Sequence, residues 1–485
     1  MLNESPYIVE NLDPTVAFFR FKKQKSGSFL VTNDVGNFCF LTKEEFQDFL
    51  SGKISGNKRQ ELEEKLFYKT PEYQERMTVL YNQRNSFLAF GPTLHAIILT
   101  LRCNHKCEYC HAAVAPMTAK NMDMTMETAR KVVDTIFYSS APSLTIEFQG
   151  GEALVNWDVL KFVVEYAYFK SQILQKEVVF LLVTNLTLMT EDKLQWLLDH
   201  NVGISTSLDG DKITHNSQRI WKEGDSYQNV THWIRRITEE SIKRGAGEDF
   251  RVGALTTWTK TSIKNYKKII DTYKELGLQT IGFRWLNPYG FALADREKME
   301  FSYEEFMDFY SDGMDYLLEL NKSWYFMREM ISCVYLQKIL SHENAGSFMD
   351  IRSPSGVALG TIAYNYDGKV YASDESRMLG RMGINNFLMT PMLETGLQTY
   401  QAMAESEITK ISAMASTLDG LPGYEESVYK PYLGVDMLYN FTQYGNIYSS
   451  YSKDEKNKMQ IFMLDYLFEK LQDPENERIF RSWIS

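Results

Sequence analysis

Cysteine is scarce in this chain. There are five in 485 residues, and two of them, Cys39 and Cys333, stand alone. That count excludes a disulfide framework and fits a reducing, cytoplasmic setting. Positive charge is short as well, 52 Lys and Arg against 63 Asp and Glu, for a formal net charge of −11. General nucleic-acid binding needs a basic footprint, so no nucleic-acid partner is expected. No stretch approaches the roughly 18 uninterrupted apolar residues of a membrane span, so no membrane partner is expected either. The opening MLNESPYIVENLDPTV lacks the basic and apolar regions of a signal peptide. Prolines number only 12, and neither a repeat nor a low-complexity linker breaks the chain. Disorder and fibrous folds are thereby excluded.

What remains is a soluble globular composition, 44% hydrophobic, on a chain longer than one core usually supports. Its pattern changes three times. Residues 17–40 hold the extended segments AFFRFKK, SFLVTN and NFCFL, split by turn signals at Lys25–Gly27 and Asn33–Gly36. A helix starts at Thr42, with acids in its first turn and Gly52 at its close, and further helical pattern runs to about Asn85. Residues 1–90 therefore read as a small α+β module.

From residue 94 strands and helices alternate. LHAIILTL, SLTIEFQ, VVFLLVTN, GISTSLD, FRVGALTT and QTIGFRWL read as strands, with amphipathic helices between them. Six β/α units imply a parallel sheet with right-handed crossovers over residues 91–298, an α/β partial barrel of (β/α)6 type rather than the full eight-unit form. Residues 299–345 read as a helical bridge rich in aromatics and methionine. Residues 346–485 return to short strands, with Asp367–Gly368 as a hairpin turn, and close on the helix KMQIFMLDYLFEKLQD.

The other three cysteines fall in LTLRCNHKCEYCHA, residues 99–112, as C-x3-C-x2-C. Three buried structural thiols would need an apolar surrounding that this charged segment lacks. CEYCH matches a haem-attachment pattern, but that chemistry needs export. A zinc site of three cysteines with His105 or His111 is chemically possible, although closed zinc sites usually pair C-x2-C units from two places. An iron–sulfur cluster held by Cys103, Cys107 and Cys110 leaves one iron without a protein ligand, open to a substrate or cofactor. The triad follows the first strand of the β/α domain, at the edge where ligands bind in such folds.

With that placement the sequence resembles the radical S-adenosylmethionine (SAM) superfamily, whose hallmark is this spacing after the first barrel strand. The resemblance implies one [4Fe–4S] cluster on Cys103, Cys107 and Cys110 and SAM bound at the open iron. It implies SAM contacts from Tyr109, from Gln149, Gly150, Gly151 and Glu152 of EFQGGEAL, from Asn185 of VTN, from Ser207 and Asp209 of STSLDG, and from Arg219. Glu152 would meet the ammonium, Ser207 the ribose or carboxylate, and Arg219 the carboxylate. Reductive cleavage of SAM would yield a 5′-deoxyadenosyl radical that abstracts hydrogen from an unactivated carbon.

A wider resemblance, carried by LHAIILTLRCNHKCEYC, SLTIEFQGGEAL, NPYGFA, DIRSPSG and YNYDGKVYASDESRML, is to peptide maturases of His-Xaa-Ser systems. It implies modification of a ribosomally made precursor peptide, most simply by side-chain cross-linking. Residues 1–90 then resemble a winged-helix-like element that grips a leader peptide by strand addition. An external electron donor such as a flavodoxin or ferredoxin is expected. A redox-neutral epimerase with Cys333 as hydrogen donor, or a relative that only binds peptide or senses redox state, is the alternative. In one respect the chain departs from these relatives. Their C-terminal SPASM-type domain carries cysteines for auxiliary clusters, and the matching positions here are Tyr424, Ser427, Leu433 and the neighbourhood of Glu455. A SPASM-like domain without clusters is expected.

Overall fold

A computed structural model describes residues 12–245, 252–287, 289–294, 296–342, 348 and 351–485. Residues 1–11 of the N-terminal module, 250–251 of the fifth expected strand, 343–345 of the helical bridge, Pro288 and Asp350 lie outside the described residues. The chain divides into two units, one of Met1–Ala89, Ile331–Ser355 and Met414–Ser485, the other of Phe90–Met330 and Gly356–Ala413.

In the first unit β1 (Arg20–Lys23), β2 (Phe29–Thr32) and β3 (Phe38–Leu41) form an antiparallel sheet in that order. The helix Lys43–Leu50 follows, capped by Thr42, whose hydroxyl accepts from the Glu45 N–H while Glu45 accepts from the Thr42 N–H. One sheet face builds a core of Phe29, Val31, Cys39, Leu41, Phe46, Phe49, Leu62 and Phe67. All four residues of β2 are buried, so its other face is covered too. The cover is the C-terminal segment. Thr32 donates to the Val428 carbonyl at 2.7 Å, Tyr432 to that of Gly36 at 3.0 Å, and Phe38 meets Phe468 edge-on at 5.3 Å.

This redraws the expected boundaries. Residues 414–485 share a core with the N-terminal module, because a three-stranded sheet with two apolar faces cannot leave one in water. Tyr424 and Leu433, two of the positions expected to match SPASM-type cysteines, are fully buried. Cys333 lies on the helix Met330–Leu336 with its Sγ 3.7 Å from the Trp483 carbonyl.

The second unit is built on β4 (Leu94–Thr100), β6 (Ser143–Gly150), β7 (Glu177–Val183), β8 (Val202–Ser207) and β10 (Gly253–Leu255), all parallel. Two ribbons stand apart from it. One pairs β5 (His105–Cys107) with β9 (Arg219–Trp221), the other β11 (Thr280–Ile281) with β12 (Arg328–Glu329). The sixth expected strand is β11, and it does not join the main sheet. The carbonyl of Gly282, the next residue, is taken by the Trp258 indole N–H at 2.6 Å, which ends any ladder there. The sheet grows at its other side instead. β13 (Thr361–Tyr364) pairs parallel with β4, and β14 (Lys369–Tyr371) and β15 (Leu388–Pro391) extend it antiparallel. Residues 356–413, expected in the C-terminal domain, thus cover the edge that β4 would otherwise expose. The order is β10-β8-β7-β6-β4-β13-β14-β15, and Gly368, at φ +81°, turns the expected hairpin between β13 and β14.

Candidate active site

β4, β6, β7 and β8 are parallel, so their carboxyl ends meet at one edge, and the three cysteines sit on the loop leaving β4 there. The loop is pinned at several points. The Cys103 N–H donates to the Ala115 carbonyl at 3.0 Å, Cys110 N–H to that of Cys107 at 3.3 Å, and β5 pairs Cys107 with Arg219. Gly290 closes on it from NPYGFA. With φ +56°, it packs where a Cβ would lie 2.4 Å from the His111 carbonyl, and Phe291 N–H donates to Cys110 at 2.9 Å.

Gly150 and Gly151 allow a close approach, though what approaches is the chain's own backbone. A Cβ on Gly150 would lie 2.2 Å from the Thr100 carbonyl and one on Gly151 2.3 Å from that of Arg102. Gly151 and Glu152 donate their N–H groups to those same carbonyls, each at 2.8 Å, so the turn after β6 is laced to the start of the cysteine loop. Glu152 is fully buried. Its carboxylate accepts from Leu154 N–H (3.0 Å), the Thr184 hydroxyl (2.7 Å) and Asn185 N–H (2.8 Å). A carboxylate has about four lone-pair sites, so one more donor could be accepted. Burial raises its pKa, and these three bonds oppose the rise.

Asn185 accepts from Thr187 N–H at 2.9 Å and from its hydroxyl, and turns its own amide toward Asn104 Oδ1 (3.1 Å) and Cys103 Sγ (3.8 Å). Asp209 is fully buried and accepts from the Tyr109 hydroxyl, from Arg219 Nε at 3.0 Å and from Thr257 N–H at 3.0 Å. Arg219 Nη1 is 3.9 Å from Cys107 Sγ, and its guanidinium lies over the Tyr109 ring. Burial would depress the Arg219 pKa, but Asp209 holds it above its ordinary value. Tyr109, Asp209, Arg219 and Cys107 are therefore one connected group. Ser207 ends β8 opposite Leu255, half-buried, and Gln149 donates its amide to Glu147.

Glu147 and His215 are not singled out by any motif. Glu147 shares a face of β6 with Thr145 and Gln149, and burial raises its carboxyl pKa. His215 accepts the Asp209 N–H at 3.2 Å and meets the Ser226 hydroxyl at 2.9 Å. A polar residue alternating with Leu144, Ile146 and Phe148 was the one signal available for Glu147. His215, inside HNSQR, gave none.

The donor set fits an iron–sulfur cluster. Burial pushes the Cys107 thiol up to about 12, and raises Cys103 with help from the Glu152 charge. Such thiols become ligands when a metal's charge replaces their protons. Among the described residues no three His, Cys, Asp or Glu side chains converge on one point, as a single ion would require. Ligands to separate irons need no such convergence.

Residues 97–258 match the model of the radical SAM superfamily. Among known proteins the chain is similar to the radical SAM cyclopropyl synthase TigE of Paramaledivibacter caminithermalis, 27% identical over 233 residues, covering 44% of this chain and 46% of TigE. An uncharacterised protein of Methanothermobacter thermautotrophicus is 28% identical over 187 residues, 38% of this chain and 63% of that one. The chain spans less than two thirds of the length of the curated relatives it matches. The fold is that of anSMEcpe with bound AdoMet (TM-score 0.61, 16% identity, 80% of this chain and 99% of that one). It is also that of Streptococcus suis SuiB bound to its precursor peptide SuiA (TM-score 0.51, 12% identity, 90% and 98%).

Proposed function

We propose that this chain is a radical SAM enzyme that modifies a ribosomally made precursor peptide, by side-chain cross-linking at an unactivated C–H carbon. The observation that carries the reading is the joining of cysteine loop, GGE turn and Asp209–Arg219 pair at one edge of a parallel sheet, inside the segment that matches the superfamily. Cys103, Cys107 and Cys110 would hold one [4Fe–4S] cluster, which with SAM supplies the radical chemistry when bound. The protein's own share is to anchor the cluster loop, to bind SAM beside Glu152 and Ser207, and to keep water from the reacting carbon. The precursor peptide bound to SuiB supports a peptide substrate. An external one-electron donor of the flavodoxin or ferredoxin kind would reduce the cluster.

Capture of the leader peptide is assigned to the first unit. What supports it is β3, an edge strand whose flank opens on a cavity of about 380 Å³ lined by Asn37, Phe38, Phe40, Lys58 and Lys65 among others. An extended peptide added there would be held by main-chain hydrogen bonds.

The test is product mass after incubation with a candidate precursor peptide. Loss of two hydrogens per modification is the expected result for a cross-link. Unchanged mass with solvent deuterium uptake would replace it with epimerisation, and no 5′-deoxyadenosine from the reduced holoenzyme would remove catalysis altogether. Phe40→Ser should weaken peptide binding while peptide-independent SAM cleavage persists.

A further inference from the structure

We propose that Asn185 and Arg219 are hydrogen-bond donors to the cysteine sulfurs of the cluster and set its reduction potential, as positioning residues distinct from SAM ligands. The two sites repeat one design. Asn185 gives its backbone N–H to the buried Glu152 carboxylate at 2.8 Å and aims its side-chain amide at Cys103 Sγ, 3.8 Å away. Arg219 gives Nε to the buried Asp209 carboxylate at 3.0 Å and aims Nη1 at Cys107 Sγ, 3.9 Å away. Each residue thus bonds a fully buried carboxylate with one group and reaches a cluster thiol with another.

The carboxylates need such partners. Glu152 and Asp209 are both fully buried, and each is one residue removed from a cluster thiol, through Asn185 or Arg219. A cluster held there would be reduced beside two buried carboxyl groups, in a chain whose net charge is already −11. N–H donors at the sulfurs, one of them cationic, favour the reduced state and raise the potential. Charge-assisted bonds are the stronger kind, so Arg219 carries the larger share.

Neither donor is free to drift. Asn185 Oδ1 is held by the Thr187 N–H and hydroxyl. Arg219 is fixed at its backbone by pairing with Cys107 in the β5–β9 ribbon, and at its head by Asp209, which Tyr109 and Thr257 hold in turn. The ribbon register alone puts the guanidinium beside the thiol. A SAM-carboxylate arginine would not need that register.

The proposal rests on the cluster reading above, and the experiment separates the two. The full chain is reconstituted anaerobically as wild type, Arg219→Lys and Asn185→Ser, and each is titrated by EPR against mediators without SAM. Lysine keeps the charge but cannot bridge carboxylate and sulfur; serine can still accept the Thr187 N–H but is too short to reach Cys103. Each variant should show a reduced-to-oxidised ratio about 2- to 10-fold lower at a fixed solution potential. Variants that hold iron and titrate with the wild type overturn the proposal, and loss of SAM affinity in such an Arg219→Lys protein would return Arg219 to the SAM carboxylate. Should the variants not take up iron, pulsed EPR of the wild type labelled with guanidino-15N arginine decides. A 15N coupling to the reduced cluster supports the proposal and its absence overturns it. A wild type that binds no iron would instead sink the cluster reading itself.

Discussion

Glu152 accepts three bonds from its own chain, and this changes what a substitution there does. Glutamine keeps one acceptor oxygen and turns an amide N–H₂ toward donors that expect oxygen. At least one buried donor is left unmade, at a cost of about 1–3 kcal/mol. Glu152→Gln should therefore lower the denaturation midpoint as well as SAM affinity, and normal stability with weak SAM binding would leave Glu152 a ligand only. His215 sets a pH dependence. Burial holds its pKa down at about 4 against the ordinary 6.5, with Asp209, Arg219 and Asp225 the charged groups that face it. Between these values the unfolded chain binds more protons, so this contribution is complete above about pH 6.5 and is lost as pH falls toward 4. The total is up to ~3 kcal/mol. Denaturant melts from pH 7 to 4.5 should show a shallower loss in His215→Gln than in the wild type.

At the scale of elements, glycines hold the site together by letting backbones touch. Gly290 sits at φ +56° with the His111 carbonyl where its Cβ would be, so Gly290→Ala must push the cysteine loop or itself aside. A destabilisation of about 1–3 kcal/mol is expected, with less iron per chain after reconstitution and unchanged far-UV circular dichroism. Full iron loading would show that the loop yields without harm. The GGE turn was legible as a motif, and its glycines read as making room for a ligand. Only the register of β4 against β6 reveals that Thr100 and Arg102 fill that room, because strand pairing is a long-range choice.

For the whole molecule, the cysteine-free C-terminal segment packs as part of an apolar core. Tyr424 is fully buried and bonded to Ser449, and Leu433 is fully buried. Placing thiols at these positions removes large buried side chains. The triple variant Tyr424→Cys, Ser427→Cys, Leu433→Cys should lose about 4 kcal/mol or more, take up no more iron than the wild type, with about four per chain expected for both, and gain no activity. A rise to about eight irons would show that an auxiliary site survives here.

The sequence by itself determined the elements whose signals are local: the Thr42 cap, the Asp367–Gly368 hairpin, the run of buried parallel strands, and the three closely spaced thiols. Each depends on residues within a turn or two of one another. Which strand lies beside which was a different matter. The sheet gains β13 from more than two hundred residues away and gives up β11, and the C-terminal segment covers the β1–β3 sheet, because apolar faces and open edges are satisfied by whatever partner the whole chain brings. The same holds at the site. Tyr109, Asp209 and Arg219 were visible one by one as motif positions, but their union with Cys107 exists only through the β5–β9 register and burial around a shared carboxylate, which no spacing encodes.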